Sequence, residues 1–235
     1  MAIKAVLFDL DGTLLPLDQD EFIKTYLSKL AETMAPRGYD PDQLIKAVWA
    51  GTGAMIQNDG TATNEQVFWQ VFSKIYGADP QKEIPIFQCF YENEFQSIQS
   101  VCGYSPKARQ AVKLLQEKGI TVVLATSPIF PAIATQSRIR WAGLEPEDFL
   151  FYTTYENCSY TKPNLKYYES ILETLQLKPE DCLMVGNDVG EDMIASKLGM
   201  EVFLLTPCML NRKGEDYSAY PQGDFDDLLQ KLQSL

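Results

Sequence analysis

The chain has 235 residues, of which 46% are hydrophobic and 22% are charged. This composition is that of a globular protein, and the length suits one α/β domain or a core with a smaller insert. The formal net charge of −12 argues against a surface for nucleic acid or anionic membrane, because phosphate groups are bound by clustered Lys and Arg.

The first predicted element is a strand at residues 3–8, a continuous apolar run that is typical of a strand buried on both faces. Residues 18–100 then contain no strand-like run. Four helices are predicted there, at residues 21–34, 42–49, 65–76 and 84–99, with residues 51–64 as a connecting loop. We interpret residues 18–100 as a helical domain inserted after the first strand, with Trp49 and Trp69 in its core.

The rest of the chain alternates predicted strands with predicted helices. The strands lie at residues 120–125, 149–153, 182–185 and 202–205. The helices lie at residues 106–118, 131–141, 165–175, 191–198 and 225–232, and residues 211–222 are predicted to be a surface loop. This alternation indicates βαβ units around a parallel sheet, so we predict an α/β core formed by residues 1–17 and 101–235.

Two acids follow the first predicted strand, in the sequence Phe-Asp-Leu-Asp-Gly-Thr. Asp9 and Asp11 are two residues apart, so their side chains point to the same side of the strand end. That end is the carboxyl edge of the sheet, where open α/β folds bind ligands. Two solvated aspartates in a turn are the structural alternative. The buried strand before them and the Gly-Thr pair after them favour a functional pair.

A second acidic pair, Asp188 and Asp192, follows the fourth predicted strand. Residues four apart in a helix share one face, although carboxylates in a first helical turn also serve as caps. Four acids at the ends of two strands describe a site of oxygen ligands for a hard divalent cation, the pattern of magnesium.

Residues suited to a phosphoryl group follow two other strands. Thr126 and Ser127 offer hydroxyl and backbone N–H groups at a strand end. Lys162 precedes Pro163, which favours an extended backbone that can reach an anion, although an exposed lysine is the common alternative.

The negative charges of the candidate site predict a bound metal ion. Four carboxylates and a phosphate dianion carry about six negative charges, and one unit pair about 4 Å apart at an effective dielectric near 20 interacts with roughly 4 kcal/mol. Lys162 alone does not offset this sum, so we expect a divalent cation.

The absence of histidine and the spacing of the cysteines limit which groups can transfer protons and indicate a cellular compartment. The chain has no histidine, and its five cysteines include no CxxC pair, which excludes a Cys/His zinc pattern. Proton transfer is therefore left to carboxylates, lysines, tyrosines, cysteines or a metal-bound water. The widely spaced cysteines predict reduced thiols in a cytoplasmic protein, and we expect neither a signal peptide nor a membrane-spanning segment.

The motifs together resemble those of the haloacid dehalogenase-like hydrolase superfamily. They occur in the family's order: Asp9-Leu-Asp11-Gly-Thr, then Thr126, then Lys162-Pro163, then Gly-Asn-Asp188 with Asp192. The resemblance covers the core strands over nearly the whole chain. The insert resembles the helical cap of phosphoglycolate-phosphatase-like members. This implies a Rossmann-like sheet with an all-α cap that closes over the active site.

The resemblance also implies an activity, that of a magnesium-dependent phosphomonoester hydrolase acting on a small phosphorylated metabolite. Asp9 would be the nucleophile that forms an aspartyl-phosphate, and Asp11 would act first as acid and then as base. Thr126, Ser127 and Lys162 would bind the phosphoryl group.

For the metal, the resemblance implies Mg²⁺ bound by Asp9, the backbone carbonyl of Asp11, and the second acidic pair. Asn187 stands between Gly186 and Asp188, where many family members have Gly-Asp directly. Whether Asp188 or Asp192 contacts the ion directly therefore stays open.

Other functions on the same fold remain as alternatives. A phosphomutase usually relies on histidine and basic groups in the cap, which this insert lacks or holds sparsely. A dehalogenase typically lacks the second aspartate, and a phosphonate-cleaving member would need a cap lysine, for which Lys24, Lys29 and Lys46 are candidates. A non-catalytic binding protein is disfavoured by the intact motifs. The identity of the substrate and the oligomeric state are not predicted.

Overall fold

The computed structural model describes residues 2–77 and 79–235; residues 1 and 78, which the predicted domain ranges include, lie outside the described residues. The strands are β1 (Ala5–Phe8), β2 (Thr121–Leu124), β3 (Phe151–Tyr152), β4 (Cys182–Gly186), β5 (Glu201–Leu205) and β6 (Gln222–Gly223). They form one parallel sheet in the order β3-β2-β1-β4-β5-β6. The predicted α/β class with a parallel sheet is confirmed.

Helices flank this sheet and fill the stretch between β1 and β2. The α-helices are α1 (Gln19–Met34), α2 (Pro41–Ile56), α3 (Asn64–Tyr76), α4 (Pro80–Glu92), α5 (Pro106–Glu117), α6 (Ala132–Trp141), α7 (Leu165–Leu175) and α8 (Phe225–Gln233). Short 3-10 helices occupy Ala35–Arg37, Glu94–Val101, Pro146–Asp148, Pro179–Asp181 and Met193–Leu198. Within the described residues, no helix has both the length and the hydropathy required to cross a bilayer.

Strand β1 is fully buried because helices cover both faces of the sheet. Val6 and Phe8 belong to one hydrophobic cluster, whereas Ala5 and Leu7 belong to the other, as the alternation of side chains along a strand requires. β1 pairs with β2 on one side and with β4 on the other. The residues that follow these three strands therefore meet at one edge, where the strand order reverses and a crevice forms.

Three predicted helices differ from the observed ones. Helix α2 continues to Ile56 instead of ending near residue 49, because Gly51 and Gly53 are helical. A Cβ at Gly51 would overlap the ring of Phe68, so this glycine lets α2 approach α3 closely. The predicted helix at 84–99 divides into α4 and the 3-10 helix Glu94–Val101. The predicted helix at 191–198 is a 3-10 helix that begins at Met193.

One strand was not predicted. β6, at the end of the predicted loop 211–222, pairs in parallel with β5 and extends the sheet by one strand. It has only two residues, too few for a hydrophobic periodicity to appear in the sequence.

Residues 18–100, called the helical segment below, contain no strand among the described residues. The chain enters and leaves this segment through adjacent connections, because Leu17 forms an antiparallel bridge with Cys102. The segment also packs on the core through aromatic rings. The ring centroids of Phe95 and Trp141 lie 5.1 Å apart, and those of Tyr26 and Phe130 lie 5.3 Å apart.

A buried asparagine joins the helical segment to the loops at the carboxyl edge of the sheet. The side chain of Asn64 donates to the carbonyl of Pro128 at 3.1 Å and accepts from the amide of Asn58 at 2.9 Å. The backbone N–H of Asn64 donates to the carbonyl of Cys158 at 2.8 Å. Residues near the start of α3 are thus fixed against the loops that precede Lys162.

Asn64→Ala should lower the free energy of unfolding by about 1–3 kcal/mol, because it leaves the carbonyl of Pro128 without its donor in a buried position. Denaturant titration measures the loss. Asn93→Ala is the matched control, since the amide of Asn93 also donates to a backbone carbonyl but is exposed. Equal losses in the two variants would contradict the inferred role of burial.

Candidate active site

Asp9 follows β1 and is paired with Lys162. The lysine Nζ lies 2.8 Å from Asp9 Oδ1, and the two residues are 3% and 7% exposed. Burial, together with the charges of Asp192 and Asp11, raises the pKa of Asp9 to about 7, although Lys162 acts in the opposite direction. The predicted extended lysine is therefore a buried residue that contacts the predicted nucleophile, and the surface-lysine alternative is wrong.

Lys162 also contacts Asp192, which is 1% exposed, with Nζ 2.6 Å from Oδ1. Burial works against the charged ammonium, but Asp192 and Asp9 hold the pKa of Lys162 well above its usual value. The other oxygen of Asp192 accepts from the backbone N–H of Asp188 at 2.9 Å. A Cβ at Gly186 would overlap this carboxylate, so a glycine at the end of β4 makes room for it.

Asp188 caps the turn that follows β4. Its Oδ1 accepts from the backbone N–H groups of Gly190 at 2.8 Å and Glu191 at 2.9 Å. Its Oδ2 accepts from no described residue. Burial raises the pKa of Asp188, although these hydrogen bonds act against the rise. The capping alternative is thus correct for one oxygen of Asp188, while the second oxygen remains free for a ligand.

Asp11 is bound by an arginine that was not among the predicted site residues. The guanidinium of Arg138 on α6 is 1% exposed and donates through Nη1 to Asp11 Oδ2. It also donates to Thr135 Oγ1 at 3.3 Å and lies over the ring of Phe130, with Cζ 4.4 Å from the centroid. The other oxygen, Asp11 Oδ1, is buried and has no hydrogen-bond partner. Such an atom requires a partner that the described residues do not supply.

Thr13 and Asn187 tie the first and fourth motifs together. The hydroxyl of Thr13 lies 2.9 Å from Asn187 Oδ1 and 3.3 Å from Asp9 Oδ2. The amide of Asn187 donates to the carbonyl of Cys208 at 2.7 Å. Gly12 has φ +83°, and a Cβ there would overlap Asn187. The residue that departs from the family pattern, Asn187, therefore positions the loop after β1.

Thr126 and Ser127 lie at the same edge, after β2. Thr126 is buried, and its carbonyl accepts from the hydroxyls of Thr153 at 2.6 Å and Tyr167 at 2.8 Å. Its own hydroxyl donates to no described residue. Ser127 lines a small cavity of about 90 Å³ that also touches Asp11. Both residues are thus available at the predicted phosphoryl site.

Lys162 is accompanied by another positive charge at the candidate site. Arg138 is a second buried cation, so Lys162 is not the sole positive charge facing the four acids. Moreover, within residues 2–77 and 79–235 no three Asp, Glu or Cys side chains are already grouped as a metal site. The ammonium of Lys162 lies between Asp9 and Asp192. Two of the four acids are thus bridged by an ammonium group, and the grouping of all four around a metal ion stays a prediction.

The haloacid dehalogenase-like hydrolase family model matches residues 3–198. The chain belongs to this family. It is 25% identical to the pyrophosphatase PpaX of Halalkalibacterium halodurans, over all of this chain and 96% of that protein. Among solved structures, it is similar to a HAD phosphatase from Thermococcus onnurineus, with a TM-score of 0.61, 20% identity and coverage of 98% of each chain. It is also similar to a predicted phosphoglycolate phosphatase from Haemophilus somnus, with a TM-score of 0.59, 16% identity and coverage of 97% of each chain.

A signal for Arg138 was present in the sequence of this haloacid dehalogenase-like hydrolase. The buried face of α6 carries Ala134, Thr135 and Ile139, and Arg138 falls on that stripe by helical spacing. Arg140, two residues later, lies off the stripe and is exposed. An arginine on the buried face of a helix requires a buried anion, because long charged residues are almost never fully buried unless paired.

The predicted role of Trp49 is wrong. Trp49 is 50% exposed and lines the same small cavity as Asp11 and Ser127. Trp69, in contrast, is buried in an aromatic cluster with Phe68 and Phe72, as expected for a core residue. In this hydrolase the helical segment therefore supplies an exposed aromatic ring to the cavity that Asp11 lines.

Arg138→Met should lower the free energy of unfolding by about 3 kcal/mol, because it leaves the carboxylate of Asp11 without its cation in a largely buried site. Denaturant titration again measures the loss. Arg140→Met on the same helix is the control, since Arg140 and Glu145 form an exposed pair that contributes little. If both variants have the same unfolding midpoint in denaturant as the unsubstituted protein, the Arg138–Asp11 pair does not stabilise the fold.

Proposed function

We propose that this hydrolase is a magnesium-dependent phosphomonoester hydrolase that acts on a small phosphorylated metabolite through an aspartyl-phosphate. One observation carries the proposal. The buried carboxylate of Asp9 is held by Lys162, and the unpartnered Oδ1 of Asp11 lies at the same strand end. A nucleophile and an acid–base group are thus held by separate cations, and each has a distinct role.

In the first step, an Asp9 carboxylate oxygen bonds to phosphorus while the bond from phosphorus to the leaving alcohol oxygen breaks. Asp11 donates a proton to that oxygen. In the second step, Asp11 takes a proton from water, the water oxygen bonds to phosphorus, and inorganic phosphate leaves with the carboxylate of Asp9 restored. Lys162 and the groups of Thr126 and Ser127 stabilise the phosphoryl oxygens.

Arg138 fits this scheme as a positioning residue. It donates to Oδ2 of Asp11 and leaves Oδ1 free of any described partner. The proton would therefore be held and transferred at Oδ1. Because Arg138 is fixed by Thr135 and by the ring of Phe130, the orientation of the Asp11 carboxylate is fixed as well.

The donor set fits Mg²⁺ chemically, because it consists of carboxylate and carbonyl oxygens. Asp9, the backbone carbonyl of Asp11 and Oδ2 of Asp188 would hold the ion. Asp192 would act through other residues, because Lys162 and the N–H of Asp188 already use both of its oxygens. When bound, the ion supplies positive charge that stabilises the phosphoryl group.

We also propose that residues 18–100 act as the cap over this site. Trp49 and Phe22 of the helical segment line the cavity beside Asp11 and Ser127. The segment leaves and rejoins the core through the paired connections at Leu17 and Cys102. The helical segment is thus placed to cover the leaving group and to limit access of water to it.

Asp9→Asn should abolish release of phosphate from p-nitrophenyl phosphate, because an amide oxygen is a far weaker nucleophile than a carboxylate. The control is Asp181→Asn, at the opposite end of the same sheet, where Asp181 is similarly buried and also pairs with a lysine, Lys4. Steady-state assays of both variants, with circular dichroism to establish folding, make the comparison.

Undiminished turnover by a folded Asp9→Asn variant would contradict the nucleophile assignment. The product distinguishes hydrolysis from the mutase alternative. A hydrolase releases inorganic phosphate in proportion to the substrate consumed, whereas a mutase converts a sugar phosphate to its isomer without net release.

Exhaustive chelation of divalent cations should stop phosphate release, and added Mg²⁺ should restore it. Binding of Mg²⁺ should also raise the Tm of the unsubstituted protein as the Mg²⁺ concentration increases, since a ligand that binds the folded state stabilises it. Asp188→Asn should reduce this rise, and Asp216→Asn, at an exposed acid, should not. Full activity after chelation would contradict a metal requirement.

A further inference from the structure

A second and larger cavity, of about 460 Å³, lies between the helical segment and the core. This volume is within the range of small-molecule sites. It adjoins the small cavity beside Asp11 and Ser127, because five residues line both: Tyr26, Val48, Thr52, Ile129 and Phe130. The alcohol part of an ester whose leaving oxygen lies beside Asp11 in the small cavity would therefore extend into the large one.

The charges that line the large cavity are all negative. Glu65, at the start of α3, and Glu156, after β3, line it, and none of its lining residues, all of them described, is Lys or Arg. Glu156 accepts from the backbone N–H of Ala132 at 2.9 and 3.0 Å. The carboxylate of Glu65 accepts from no described side chain or backbone group.

The nearby cation does not balance these acids. The guanidinium of Arg138 lies against Phe130, a lining residue, but it is committed to Asp11. Burial and the charge of Glu156 raise the pKa of Glu65. A second phosphate or a carboxylate placed in this cavity would meet like charge without a basic partner.

The rest of the lining is aromatic. Phe68, Trp69, Phe87, Tyr91 and Tyr155 line the same space. The faces of such rings attract ammonium groups, and recognition of quaternary ammonium ligands commonly uses several of them. The carboxylates and the aromatic rings thus both favour a ligand that carries an ammonium group.

We propose that the large cavity binds the alcohol part of phosphomonoesters that carry an ammonium group there, in preference to substrates with a second anionic group. Glu65 is the residue that determines this specificity, because its carboxylate is free to pair with the ammonium. The inference rests on the proposed phosphatase function and names the substrate class for that site.

The test compares phosphoethanolamine with phosphoglycolate, which are similar in size but carry an ammonium group and a carboxylate, respectively, at the end away from the phosphate. The parent chain should show a kcat/KM at least about tenfold higher for phosphoethanolamine, as expected for one charge-assisted contact. Glu65→Gln should reduce the ratio of the two values by about the same factor. Glu173→Gln, at an exposed position of α7, is the matched control and should leave the ratio unchanged.

A binding measurement separates this inference from the proposed function. Calorimetric titration with choline and with glycolate tests the cavity without catalysis, and choline should bind more tightly, with affinity lost in Glu65→Gln. If p-nitrophenyl phosphate is not hydrolysed but choline binds in this way, the phosphatase proposal fails and the cavity assignment stands.

Three results would overturn the inference. The first is a preference for phosphoglycolate or equal use of both substrates. The second is a preference for phosphoethanolamine that Glu65→Gln leaves intact. The third is choline binding no tighter than that of glycolate.

Discussion

Lys162 places one positive charge between the ends of two strands, 2.8 Å from Asp9 and 2.6 Å from Asp192, with 3% of the residue exposed. Each of these three groups would be costly to bury alone, since an isolated buried ion costs several kcal/mol in free energy even after relaxation. Together they hold the loop after β1 against the turn after β4. Because Asp192 also accepts from the backbone of Asp188, the same lysine indirectly fixes the residue proposed to bind the metal. The geometry of the site thus depends on this one ammonium group.

Each of the two aspartates after β1 is contacted by a different buried cation. Lys162 contacts the proposed nucleophile, and Arg138 contacts the proposed acid–base residue. The difference in cation type matters, because the planar guanidinium can be fixed by Phe130 and Thr135, whereas a lysine would hold Asp11 less rigidly. One oxygen of Asp11 is thereby held while the other stays free. Two aspartates only two residues apart acquire different chemistry from their surroundings, in a chain that has no histidine.

The sequence predicts the parts of the fold that are encoded locally. The apolar runs that end at Asp9, Thr126 and Asn187 are buried strands, so the convergence of their following residues could be predicted. The extent of α2 could not, because helix propensity disfavours Gly51 by about 1 kcal/mol, and its close packing against Phe68 of α3 is a tertiary contact. β6 exists through its pairing with β5, which no pattern within residues 222–223 encodes. Arg138 was missed because a charged residue in a helix is usually solvated, and its partner is distant in sequence.

Phe130 lies beside both the cation that positions Asp11 and the cavities proposed to bind the leaving alcohol. One of its contacts is with the guanidinium that holds Asp11, and it also lines both cavities that would receive the leaving alcohol. The ring packs against Tyr26 of the helical segment as well, so the position of that segment, the wall of the substrate cavity and the orientation of the acid share one side chain. Close-packed interiors transmit small displacements of this kind. A leaving group that fills the large cavity would therefore contact the same ring that supports Arg138, and the fit of the alcohol would affect the position of Asp11, the proposed proton donor.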